Sequence, residues 1–137
     1  MKVYCNLHLC SFDINTTEEA YKSRCDNPPS SEPLNLTEAE YTFEYDYPLE
    51  NTAKFTRKLT PTMSALDLLA FGKEDYQHIY KEEDAASNIP PGNIPGMLNR
   101  NSTDGPYGIW GHDIGDLYFE GIEINIKQKK VKFWIGS

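Results

Sequence analysis

The chain has 137 residues, 39% hydrophobic and 12% aromatic, with 21 acidic against 13 basic side chains and a net charge of −8. That length suffices for one domain around a single core, and nine Tyr with six Phe supply large burial per residue. The negative balance argues against binding that runs on Lys and Arg contacts to nucleic-acid backbones or to anionic membranes; it suits a basic protein partner, or plain solubility.

The acidity is uneven, with ten acids and three bases in residues 1–50 but eleven and ten in residues 51–137. Three cysteines, Cys5, Cys10 and Cys25, form an odd set without Cys-x-x-Cys. This argues against a disulfide framework or a structural zinc site, and leaves one disulfide plus a free thiol open. No metal site and no cofactor is expected. No apolar run reaches the length of a signal-peptide core or a membrane span, so a cytoplasmic protein is expected. Asn-x-Ser/Thr matches at Asn15, Asn35 and Asn101 fall within chance, although a trimmed secreted chain would look the same.

In chain order, residues 3–10 alternate with Val3, Cys5, Leu7 and Leu9 on one side, a strand pattern. Asn15-Thr16-Thr17-Glu18-Glu19 offers N-cap residues and first-turn acids for a short helix over 18–24. The Pro-rich stretch 26–34 reads as a linker-like loop. Tyr41-Thr42-Phe43-Glu44-Tyr45-Asp46-Tyr47 puts aromatics at every odd position and is the clearest strand, ended by Pro48; Ala53–Leu59 alternates again, so the two form a hairpin.

A helix over roughly 64–86 follows. Ser64-Ala65-Leu66-Asp67 resembles a capping box, and Ala65, Leu68, Gly72, Tyr76 and Ile79 recur on one face. Gly72 costs up to about 1 kcal/mol of helix propensity, marking either a break or a close helix-on-sheet contact; one continuous helix is the preferred reading. Glu82-Glu83-Asp84 lies where the helix dipole disfavours acids and reads as a solvated end. His78 and Glu82 make an exposed i,i+4 pair.

Residues 88–116 form a long Gly/Pro-rich loop. Its last part, running on to Gly121, holds five of the nine glycines, at 105, 108, 111, 115 and 121, a density that marks a tightly shaped segment. Inner parity is odd at Leu117 and Phe119 but even at Ile122, Ile124 and Ile126, which places a β-bulge at Gly121. Val131, Phe133 and Ile135 complete a final hairpin, with lysines at 127, 129 and 130 protecting its tip. The expected architecture is a single α+β domain over 1–137. It pairs a mostly antiparallel sheet of about five strands with one long helix packed on one face.

Chemistry-bearing residues concentrate in the Gly-rich segment. His112 with Asp113 and Asp116 is the compact His–carboxylate cluster, suited to a general base with orienting or ligand carboxylates; it reads more simply as turn capping. Arg100, Tyr107, Ile109 and Trp110 offer a contact surface of a type enriched at binding hot spots. No P-loop, dinucleotide fingerprint or nucleophile elbow occurs. The first expectation is therefore a non-enzymatic protein-interaction module, of which an inhibitor or immunity protein is an example, with a basic partner. A small hydrolase or metal-dependent enzyme built on His112 comes second, and a structural subunit third.

Overall fold

The computed structural model of the chain describes residues 4–13 (backbone only), 31–89 and 102–136. Among the described residues five strands form one sheet: β1 (Tyr4–Asp13), β2 (Ala39–Tyr45), β3 (Ala53–Leu59), β4 (Tyr118–Asn125) and β5 (Lys130–Gly136), in the order β1-β4-β5-β2-β3. A 22-residue helix, α1 (Ala65–Ala86), lies between β3 and β4 in sequence. The α+β class stands. The sheet is mixed, however: β2 runs parallel to β5 through Thr42–Glu44 and Lys130–Lys132, while the other three neighbour pairs are antiparallel. The parallel pair arises because the chain crosses from β3 over α1 before returning, and alternation within a strand carries no information about such a crossover.

The β2–β3 hairpin forms in the expected register, Tyr41 opposite Arg57 and Phe43 opposite Phe55. Tyr41, Phe43 and Tyr45 are buried and face α1. Phe133 joins them, stacked on Tyr45 at 5.9 Å and tilted against Phe119 at 5.1 Å. Ile122, Ile124 and Val131 close the same core from β4 and β5. Ser64 caps α1 in a full capping box, its N–H donating to Asp67 Oδ2 at 2.8 Å.

Gly72 sits at the crossing of helix and sheet. A Cβ there would stand 2.8 Å from Phe133 Cζ and 3.1 Å from Phe119 Cζ, so the helix stays continuous and the missing side chain permits close approach. The parity change in β4 is a bulge: Phe119 pairs with Ile135 and Gly121 with Trp134, leaving Glu120 as the extra residue.

The short helix expected over 18–24, most of the linker at 26–34 and residues 90–101 of the long loop lie outside the described residues, as do Asn15, Cys25, Arg100 and Asn101. Cys5 and Cys10 fall within β1. Asn35 is exposed, with a φ of 57°. Among the described residues no helix is long and apolar enough to cross a membrane.

Candidate functional site

The Gly-rich loop is held by one row of α1. Tyr76, Tyr80 and Glu83 recur at helical spacing and therefore share a face, and each reaches a different part of the loop region. Tyr76 Oη donates to the Tyr47 carbonyl at 2.9 Å, and Tyr80 Oη to the His112 carbonyl at 2.8 Å.

Glu83 does the most. Its carboxylate is fully buried and accepts from Thr103 Oγ1 at 2.5 Å and from the backbone N–H groups of Gly105, Tyr107, Gly108 and Ile109 at 2.9–3.3 Å. Burial pushes its pKa up, but these donors outweigh burial, and the net effect holds the carboxyl below the ordinary Glu value. A buried ion is tolerable only with its acceptor capacity filled; here a loop supplies the donors. Two glycines are explained by this. Gly105 lies so close that a Cβ would stand 2.5 Å from Glu83 Oε1, and Gly108 has a φ of +65°, a region Gly occupies without strain.

The solvated end expected for Glu82-Glu83-Asp84 is thus corrected at its middle residue, while Glu82 stays exposed, accepting from Tyr107 Oη at 2.8 Å and lying 2.9 Å from His78 Nε2. Burial first, then the Glu82 hydrogen bond, push the Tyr107 hydroxyl up to about 12.

The other side of the loop is knitted to the β2–β3 connection. Glu50 N–H donates to the Gly108 carbonyl, Asn51 N–H to that of Tyr107 and Trp110 N–H to that of Pro48, each at 3.0 Å. Asp104 Oδ1 accepts from Ser87 Oγ and the Asn88 N–H, which ties the loop to the end of α1.

On this frame the residues singled out in the sequence separate. Ile109 is wholly buried in the core. Tyr107 is half-buried over Glu82. Trp110 stands 39% exposed, edge-on to Tyr47 at 5.3 Å and 6.2 Å from the His112 ring, with Tyr47 to His112 at 6.0 Å. Three rings thus form one surface cluster, of which Tyr47 was read as part of the aromatic strand rather than of the loop.

Asp113 and Asp116 serve a 3-10 turn over Ile114–Asp116. Asp113 Oδ1 accepts from the Ile114 N–H at 2.9 Å and Asp116 Oδ2 from the Asp113 N–H at 3.1 Å. Among the described residues no group of three or more His, Cys, Asp and Glu is placed to hold a metal ion.

A second buried acid is Asp75. It accepts from Tyr45 Oη at 2.5 Å and pairs with the Arg57 guanidinium, which also lies 4.6 Å from the Phe71 ring centroid. Burial pushes the Asp75 carboxyl above its ordinary value despite both partners. A signal for both acids existed: Asp75 is three residues after Gly72 and Glu83 four after Ile79, which extends the buried stripe onto carboxylates.

Comparison of the chain with protein-family models, with curated proteins and with solved structures found no match.

Proposed function

We propose that the chain is a cytoplasmic, non-enzymatic protein-interaction module whose contact surface centres on Trp110, flanked by Tyr47, His112 and Tyr107, and whose partner is basic. The observation that carries this reading is the contrast at Trp110: a large indole 39% exposed on a loop whose backbone is pinned by Glu83, Tyr80 and Pro48. Ordering an apolar contact in advance lowers the entropy lost on association, and Trp with surrounding aromatics is the commonest hot-spot composition. The net charge of −8 favours encounter with a basic surface.

The hydrolase reading of His112, Asp113 and Asp116 takes second place because both carboxylates already accept backbone N–H groups in the turn.

The test is Trp110→Ala, with partners captured from native cell extract and affinity then measured on the purified pair. The fold should persist, since the indole is outside the core and 39% exposed, with a stability loss of about 1 kcal/mol from its contact with Tyr47. Affinity should fall at least about tenfold. An unchanged affinity for every captured partner sinks the reading.

A further inference from the structure

The β4 bulge and the end of β2 together build a cavity that shares Tyr47 with the loop surface but lies beyond Trp110 and His112. The bulge changes which acids share a face. Unbroken alternation from inward Phe119 would turn Gly121 and Glu123 inward. With Glu120 as the extra residue, Ile122 and Ile124 pack inside, and Glu120 and Glu123 both lie on the outer side, Glu123 opposite Lys132 and Glu120 beside the Gly121–Trp134 pair. Glu120 lies across Gly136, where a Cβ would stand 2.2 Å from its Oε1.

β2, meanwhile, stops at Tyr45, and its pairing with β5 ends at Glu44 opposite Lys132. β5 runs on to Gly136, and among the described residues it has no strand beside it on that side after Lys132. The bond from Thr42 N–H to the Lys129 carbonyl sets the odd-numbered backbone groups of β5 towards β2. By the strand's alternation those of Ile135 face the gap.

The cavity in this gap has a volume of about 350 Å³, and its lining includes Asp46, Tyr47, Glu120, Glu123, Lys132 and Trp134. Lys132 Nζ is held by Asp46 Oδ2 at 3.1 Å. Neither Glu120 nor Glu123 has an ion-pair partner among the described residues. The lining holds three carboxylates, Asp46, Glu120 and Glu123, against the one ammonium of Lys132. This acidic excess beside an indole and an open strand edge suits a planar cation on an extended chain: a guanidinium forks to carboxylates and stacks on aromatic faces, whereas an ammonium does neither as well. Edge pairing supplies main-chain hydrogen bonds.

We propose that this cavity binds an extended, arginine-bearing segment of a partner protein, its main chain continuing the sheet along β5 at Ile135 and its guanidinium resting against Trp134 between Glu120 and Glu123. The proposal rests on the reading of the chain as an interaction module; its cavity shares Tyr47 with the Trp110 surface but includes neither Trp110 nor the Glu83 loop.

The test uses the whole chain and the blocked peptide acetyl-Val-Arg-Val-amide, followed by amide and indole NMR shifts. The chain has two tryptophans, so the indole signals of Trp134 and Trp110 report the two surfaces separately. Trp134 and the amides of Glu123, Lys132 and Ile135 should shift saturably with a Kd on the order of 1 mM, while Trp110 stays still. The citrulline analogue, neutral but of the same shape, should bind at least about tenfold more weakly, and the Glu120→Gln/Glu123→Gln double variant should bind the arginine peptide no better than wild type binds the citrulline one.

Equal binding of the arginine and citrulline peptides, tighter binding of a lysine analogue, or free arginine amide binding as well as the peptide would each overturn the assignment, as would the absence of saturable shifts by about 10 mM. Such a failure leaves the Trp110 measurement untouched. Loss of the Trp110 effect with peptide binding intact would locate the interaction on the sheet end alone.

Discussion

Asp75 and Glu83 lie eight residues apart on one face of α1, and both are buried carboxylates, yet they hold the molecule together by different means. Asp75 reaches side chains on the sheet, the Tyr45 hydroxyl and the Arg57 guanidinium. Glu83 reaches mostly backbone, four N–H groups of one loop. A side-chain partner can be traded for an apolar pair of similar shape with little loss. Backbone donors cannot be removed by substitution, so an acid that serves them becomes part of the loop's own hydrogen bonding. The sheet site is therefore replaceable in principle, whereas the loop depends on one residue.

The sharpest break of this contrast is Glu83→Ala. It orphans a hydroxyl and four backbone donors at once, so we expect a loss of about 4 kcal/mol, from about 1–3 kcal/mol for each buried unsatisfied group with partial relief by water. If the variant remains folded, amide exchange at Gly105, Tyr107, Gly108 and Ile109 should accelerate far more than exchange in β2 and β3. Uniform acceleration would show that the loop is not a separate dependent of Glu83.

Asp75→Ala should cost less, about 2–3 kcal/mol, since Arg57 is partly exposed and can turn to water. The double change Asp75→Leu with Arg57→Met should recover much of that loss, measured by denaturant unfolding; failure to recover would put the sheet site on the same footing as the loop.

Gly72→Ala tests the surface between the two sites. Helix propensity gains up to about 1 kcal/mol, but the new methyl meets the Phe133 and Phe119 rings, and overpacking costs about 1–3 kcal/mol. The net expectation is a loss of about 1 kcal/mol with the Glu83-bonded amides still protected.

The smallest effect is the pH dependence. Glu83 is held below its ordinary value of 4.5, so the unfolded chain takes up its proton first as pH falls. The stability this carboxylate contributes is complete above about 4.5 and is lost as pH drops towards the lower folded value. Asp75 is shifted the other way, raised from 3.8, and loses stability as pH rises through the interval above that value. Stability curves between pH 3 and 6 for wild type and Glu83→Gln should therefore lie furthest apart near pH 6 and converge towards the acid end, the variant being the flatter. Parallel curves would remove the carboxylate's charge from the account.

Much of the architecture was legible because it follows from local periodicity. β3 and the helix agree with their alternation and spacing almost to the residue, Ser64 caps as its Asp67 partner suggests, and the parity change at Gly121 is a bulge. The candidate site was legible only in outline. Trp110 stands at the surface, but Ile109, its neighbour in sequence and in the proposed contact, is core. Asp113 and Asp116 are turn caps, an outcome the same residues advertise by their three-residue spacing. Glu83 was misread because an acid at a helix C-terminus is solvated unless something far away in the chain brings donors to it.

What the sequence determined by itself is whatever depends on neighbours within a turn or a strand: the elements, their caps, their apolar faces and the bulge. The tertiary structure alone decided that β2 and β5 run parallel, that the end of β2 leaves a cavity beside Trp134, and that the loop at 103–109 closes around Glu83. Each of these joins groups from segments distant in the chain, and hydrogen-bond donors and charges leave no periodic trace of the partner they will meet.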